Sequence, residues 1–185
     1  MDPAMYERAL QATSKVVAGT RRKELENPTP CTAWTVRDLL NHLTNGCLAF
    51  AAGASGEKRP FDGEDQITDD HVDAFEKASR AAVDAFSAPA AMEKVFTMSW
   101  GDTPASVVLG LAIVDATVHG WDLAKATGQK MDIDDDIAES IHSMTTRMME
   151  PNGSYPRGDS FAGPVTVPED APIADRMVAY LGRQP

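Results

Sequence analysis

Apolar residues return at intervals of three and four in five separate stretches of this chain, which is the repeat of one face of an α-helix. Met5, Ala9, Ala12 and Val16 mark a first helix that runs from an Asp2-Pro3 cap to about Lys23. Val36, Leu39, Leu40, Leu43, Cys47 and Phe50 predict a second over 36–52, opened by Thr35 and Asp38 in the spacing of a capping box, with Asp in place of Glu. Val72, Phe75, Ser79, Ala82, Val83 and Phe86 predict a third near 69–87. Ile133, Ile137, Ile141, Met144 and Met148 follow an acidic first turn (Asp132, Asp134, Asp135, Asp136) suited to the positive end of a helix dipole. Ile173, Met177 and Leu181 give a short final helix. Before these last two lies the most apolar segment, Ala105–Ala126, opened by Pro104 and closed by Gly128, which reads as the central, best-buried helix.

Proline and glycine punctuate the pattern. Asn27-Pro28-Thr29-Pro30 ends the first helical region, Gly53 to Gly63 forms a surface loop, and Pro89 stops the third helix. Val95 to Trp100 fits a short strand or an ordered apolar loop equally well. Residues 151–172 are rich in Gly and Pro and read as a surface segment. Four long amphipathic helices with little strand signal predict an all-α four-helix bundle with an extra short C-terminal helix and long loops. A length of 185 residues predicts one domain over 1–185.

Charge narrows the function classes. With 17 basic against 28 acidic residues the net charge is −11, which argues against nucleic acid, since Lys and Arg neutralising phosphates supply most of that affinity. The one basic cluster, Arg21-Arg22-Lys23, reads as the cationic last turn of the first helix. Two cysteines are too few for a disulfide scaffold, and no basic-then-apolar leader precedes the first helix, so a reducing cytoplasm is expected. Apolar runs such as Val107–Val114 fall short of the roughly 20 residues of a membrane span.

A four-helix bundle builds sites from inward-facing polar residues, which directs attention to Asp115 and His119. They are four apart on the apolar fourth helix, one turn above the other, so a carboxylate and an imidazole can share one ion, with His42 of the second helix as a third ligand. The plainer alternative is a surface ion pair beside a core histidine. Asp122 is placed either to orient the His119 ring or to cap and face solvent. Trp34 and Trp121 read as core or pocket walls, Cys31 and Cys47 as packing, His71 and His142 as solvated, and the methionines as adaptable core.

The string Cys31-Thr32-Ala33-Trp34-Thr35-Val36-Arg37-Asp38-Leu39-Leu40-Asn41-His42-Leu43 resembles the Cys-x-x-Trp-(Ser/Thr)-Val-Arg-Asp-Leu-x-x-His-Leu signature of actinobacterial DinB-like proteins related to mycothiol-dependent maleylpyruvate isomerase. Val118-His119-Gly120-Trp121-Asp122-Leu123-Ala124 resembles the second signature of that group, and Asp170-Ala171-Pro172 through Pro185 resembles its ending. The resemblance implies a DinB-like bundle whose metal ligands are His42, Asp115 and His119, with Asp115 standing where the isomerase has Glu.

The same resemblance implies metal-dependent chemistry on a low-molecular-weight thiol of the mycothiol type, as an S-transferase or isomerase-like enzyme. The ion would be zinc first, with nickel, iron or manganese behind it. The partner is a small-molecule substrate, and a homodimer is the assembly allowed for. The isomerase carries a further C-terminal domain that contributes to its active site, so maleylpyruvate isomerisation itself is not expected; the acidic chain shows no evident cationic pocket for an anionic substrate, although Arg37, Arg80 or Arg147 could provide one locally. The rivals are a non-catalytic metal or small-molecule binder and a dimerising bundle without metal.

Overall fold

The computed structural model describes residues 1–67, 70–149, 157 and 161–185. The chain forms two compact units, Met1–Met131 and Asp132–Pro185. The first unit is the four-helix bundle. Asp2 caps α1 (Pro3–Gly19), its Oδ1 accepting from the Met5 amide at 2.8 Å. The helix stops one turn before Lys23, because its late carbonyls find other donors: the Thr20 hydroxyl and Gln129 Nε2 both donate to Val16 O, at 2.9 and 3.0 Å. The cluster Arg21-Arg22-Lys23 is therefore not the last turn of α1. Arg21 folds back on Glu24 in a capping box that opens a 3₁₀ turn, Arg22–Glu24.

The Thr35–Asp38 capping box forms as expected and starts α2 (Val36–Ala54), with Asp38 Oδ2 accepting from the Thr35 amide at 2.9 Å. Its apolar stripe Val36, Leu39, Leu40, Leu43, Cys47 and Phe50 is buried. α3 (His71–Ser87) opens on Asp70, which accepts from the Asp73 amide. The expected start near 69 lies outside the described residues.

The stretch 95–100, which fits strand or loop equally by sequence, contains a strand. β1 (Val95–Met98) pairs antiparallel with β2 (Gly101–Pro104), with Val95 opposite Pro104 and Met98 opposite Gly101. Phe96 and Met98 are buried, Trp100 is 52% exposed at the tip, and Gly101 turns the chain at φ +124. The second strand, Gly-Asp-Thr-Pro, has no β-like pattern of its own, which is why sequence alone does not decide the hairpin.

α4 (Ala105–Ala126) is buried on nearly every side. By length and composition it would reach across a membrane, which short apolar runs alone do not reveal; 78% of its most apolar window is buried in the protein, as in the central helix of a globular bundle. α1 packs on α3 and α4, and α2 packs on α3 and α4, so α1 and α2 lie on opposite corners. The α1–α4 approach is tight at Gly120, where a Cβ would stand 2.5 Å from Thr13 Oγ1. That hydroxyl lies 2.9 Å from Ala116 O.

In the second unit α5 (Asp135–Met149) packs against α6 (Ile173–Tyr180), burying Ile137, Ala138 and Ile141 from one and Met177, Val178 and Ala179 from the other. Asp132 and Asp134 precede α5 rather than forming its first turn, which holds Asp135 and Asp136. Much of the Gly- and Pro-rich stretch, 151–156 and 158–160, lies outside the described residues.

Candidate metal centre

The candidate residues of α2 and α4 meet inside the bundle. α2 carries His42 and α4 carries Asp115 and His119, and the two helices pack side by side. His42 Nε2 lies 2.9 Å from Asp115 Oδ1, and His119 Nε2 lies 3.7 Å from the same oxygen. One donor atom from each residue falls within 4.8 Å of the others. Ligand atoms bound to one ion at about 2.0–2.2 Å stand roughly 3.3–3.6 Å apart in tetrahedral geometry, and the two His–Asp separations lie within a few tenths of an ångström of that spacing. The side chains are 19%, 18% and 16% exposed, enough for a solute to reach them while most of their surface is shielded.

Burial and charge compete here. Burial pushes the Asp115 carboxyl up, but the neighbouring His42 and, less strongly, His119 outweigh it and hold its pKa below the ordinary carboxylate value. Burial disfavours charge on His42, and the Asp115 carboxylate overcomes this and holds the imidazole above its ordinary pKa.

Behind the three stands Asp122, fully buried, its Oδ2 3.2 Å from His119 Nδ1 and 3.1 Å from Cys31 Sγ. A carboxylate only accepts, so it fixes the His119 proton on Nδ1 and leaves the Nε2 lone pair for Asp115's side of the ring. Of the two readings open for Asp122, the orienting one matches this geometry. Cys31 is not mere packing: its sulfur is half-buried against Asp122 and 3.6 Å from His119 Nδ1. Cys47 does pack, fully buried beside the Tyr6 hydroxyl, and burial pushes its thiol up to about 12.

Aromatic rings wall the histidines. Trp34 lies 4.5 Å from the His42 ring and 5.5 Å from His119, and the two imidazoles meet edge to face at 4.9 Å. Phe61, in the loop after α2, comes within 5.7 Å of His42 and also contacts Phe50 and Trp100. Sequence reasoning misses Phe61, since nothing in a Gly- and Pro-rich loop marks its one aromatic as returning to the helix it left. It also misses Gly46, one turn beyond His42, where a Cβ would lie 3.2 Å from both Asp115 Oδ2 and Phe61 Cε1. The spacing of Gly46 from His42 is the signal that could have found it.

Of the candidate cations, Arg37 pairs with Asp65 and donates to Ile67 O at 2.7 Å, tying the loop to α2, while Arg80 lies on α3 and Arg147 on α5. Arg59 is a further basic side chain, one that no motif marks: it is half-buried, one nitrogen is 3.4 Å from Asn45 Oδ1, and its Nε has no hydrogen-bond partner among the described residues. His71 is buried, not solvated, with Nε2 3.1 Å from Thr20 O. His142 is half-buried against the Tyr180 ring, and burial and Arg176 hold its pKa below the ordinary value. Trp121 is buried, with the Lys125 ammonium 5.0 Å above its ring.

The fold is a DinB-like helical bundle with a His–Asp–His constellation in its interior. The family model of the mycothiol maleylpyruvate isomerase N-terminal domain matches residues 6–124, and the chain belongs to that family. The match spans α1 to α4 and includes His42, Asp115 and His119. Two uncharacterized proteins of Mycobacterium tuberculosis, one from strain CDC 1551 / Oshkosh and one from strain ATCC 25618 / H37Rv, are each 34% identical over 99% of this chain and 98% of their own length. A crystal structure of the mycothiol-dependent maleylpyruvate isomerase shares the fold at a TM-score of 0.60 and 15% identity, over 78% of this chain and 68% of that one.

Proposed function

We propose that this protein holds one divalent ion, zinc in first place, through His42, Asp115 and His119, and uses it with a low-molecular-weight thiol of the mycothiol type in an isomerase or S-transferase reaction on a small electrophile. The observation that carries the reading is the convergence of the three donor atoms within 4.8 Å, with His119 held in one tautomer by a buried carboxylate. Membership of the mycothiol maleylpyruvate isomerase family supports the thiol. We place the protein in the cytoplasm, where such a thiol stays reduced, in keeping with two reduced cysteines and a buried α4.

A bound divalent ion there supplies the positive charge that favours a thiolate over a thiol at neutral pH. The chain's own residues set the rest. Asp122 keeps the proton on His119 Nδ1, so Nε2 is available as a donor. Trp34 and Phe61 cover the His42 ring and lower the local dielectric, which strengthens every charge interaction at the site. Arg59 is the candidate to meet an anionic group, from the loop that carries Phe61.

The test combines metal content with turnover. Protein purified without added metal should carry one ion per chain, His42→Ala and His119→Ala should each lose it with helix content unchanged, and chelation should remove thiol-dependent consumption of an electrophile. Full metal content in both variants overturns the ligand assignment. Metal content without any thiol-dependent turnover leaves a binding protein in place of an enzyme.

A further inference from the structure

We propose that Cys31, His119 and Asp122 form a second cation site, for a divalent ion softer and more thiophilic than zinc, such as cadmium, on the opposite edge of the His119 ring from the first. Cys31 Sγ lies 3.6 Å from His119 Nδ1 and 3.1 Å from Asp122 Oδ2, and those two atoms are 3.2 Å apart. Atoms bound to one tetrahedral ion, at about 2.3 Å for sulfur and 2.0–2.2 Å for nitrogen and oxygen, stand roughly 3.3–3.7 Å apart, so the set closes around an ion with shifts of a few tenths of an ångström. Thiolate, imidazole and carboxylate form a softer set than the two imidazoles and carboxylate next door, and sulfur shifts preference away from hard ions toward soft ones such as cadmium.

The site is built in advance of its ion. The Cys31 carbonyl accepts from the Trp34 amide at 2.8 Å, and the Thr29 hydroxyl sits between the Cys31 and Trp34 carbonyls at 3.0 and 2.9 Å, so the loop presenting the thiol is fixed just before α2 begins. Asp122 is wholly buried and Cys31 half-buried. On binding, the sulfur–metal bond forms as the thiol proton leaves to water, and two negative charges meet a divalent ion.

His119 is shared, and a neutral imidazole has one lone pair. When Nδ1 binds, its proton moves to Nε2 and that nitrogen is withdrawn from Asp115 and His42. The two sites therefore exclude one another, and a thiophilic ion competes with the ion of the first site through a single ring. This inference does not depend on any thiol-dependent reaction.

Cadmium(II) titrated into the full chain tests it, read by the ultraviolet thiolate-to-cadmium charge-transfer absorption. The absorption is expected in the unchanged protein, in Cys47→Ser and in His42→Ala, which retains all three donors of the second site, and it is expected to vanish in Cys31→Ser. Its absence from the unchanged protein, its survival in Cys31→Ser, or its loss in His42→Ala overturns the proposal. Should Cys31→Ser fail to fold by circular dichroism, the unchanged protein decides: cadmium should protect Cys31 from alkylation, read by mass spectrometry, and an unprotected Cys31 overturns the site. The reading of the first site fails on another measurement, the zinc content of Cys31→Ser, which should stay at one ion per chain.

Discussion

α4 and α5 both set an acid near a histidine, Asp115 four residues before His119 and Glu139 three before His142, yet among the described residues only α4 builds a constellation. In α5 the apolar stripe faces α6 and the polar residues point away, so Glu139 is exposed and His142 only leans on the Tyr180 ring. In α4 the helix is apolar almost all round, and Asp115 and His119 sit among buried neighbours where water reaches them only in part, Asp122 where it does not reach at all. They must find partners within the protein, and they do: His42, Cys31 and one another. The difference teaches that a regular amphipathic pattern marks packing, whereas polar residues that break an apolar helix mark chemistry.

The strongest way to break this comparison is to make the same neutralising change on both helices. Asp115→Asn should reduce metal content severely, because an amide is a much poorer donor to a divalent cation, whereas Glu139→Gln should leave metal alone and shift stability by no more than about 0.5 kcal/mol. Asp115→Glu, which keeps the charge, should retain metal. Elemental analysis and thermal melts of the three proteins give the answer, and equal metal content in Asp115→Asn would reduce Asp115 to an ion-pair partner of the histidines.

A smaller effect is expected at Gly46, where helix propensity and site geometry pull apart. Alanine in the middle of α2 should favour the helix by about 1 kcal/mol. Its Cβ would crowd Asp115 Oδ2 and Phe61 Cε1 at 3.2 Å, so zinc affinity should fall roughly tenfold while the melting temperature holds or rises. Calorimetric titration of Gly46→Ala with zinc checks it; unchanged affinity would mean that Asp115 moves aside freely.

The mildest test uses Cys47, a titratable group buried in packing rather than in either candidate site. Burial lifts its thiol from 9.0 to about 12 in the folded protein, so its contribution to stability is complete below pH 9 and drains as the pH climbs through 12. Cys47→Ala should flatten part of that alkaline loss in denaturant melts run from about pH 8 to pH 11, and should leave metal content untouched. An alkaline slope identical to that of the parent would show that the thiol already ionises freely.

Legibility in the sequence divides along the same line. Periodicity and capping place α2 and α4 to within a residue or two at their starts, because Thr35, Asp38 and Pro104 are local signals. The end of α1 is misplaced by periodicity because Gln129, more than a hundred residues away, supplies a donor to its last turn. The pairing of β1 with β2 depends on a strand with no pattern of its own. His42, Asp115 and His119 are legible as residues, two by spacing and one through its motif, but the inward turn of Cys31, the return of Phe61 across His42 and the burial of His71 are tertiary facts with no periodic trace. Asp122 shows the boundary well: its spacing from His119 permits two readings, and only its complete burial separates them.

The most direct measurement of the central claim is an anomalous-difference map from crystals of the full chain grown with zinc. A peak at about 2.0–2.2 Å from His42 Nε2, Asp115 Oδ1 and His119 Nε2 is the predicted result. A map with zinc absent from that point, or with zinc bound while His42 and Asp115 keep their 2.9 Å contact to each other and neither touches the ion, would contradict it.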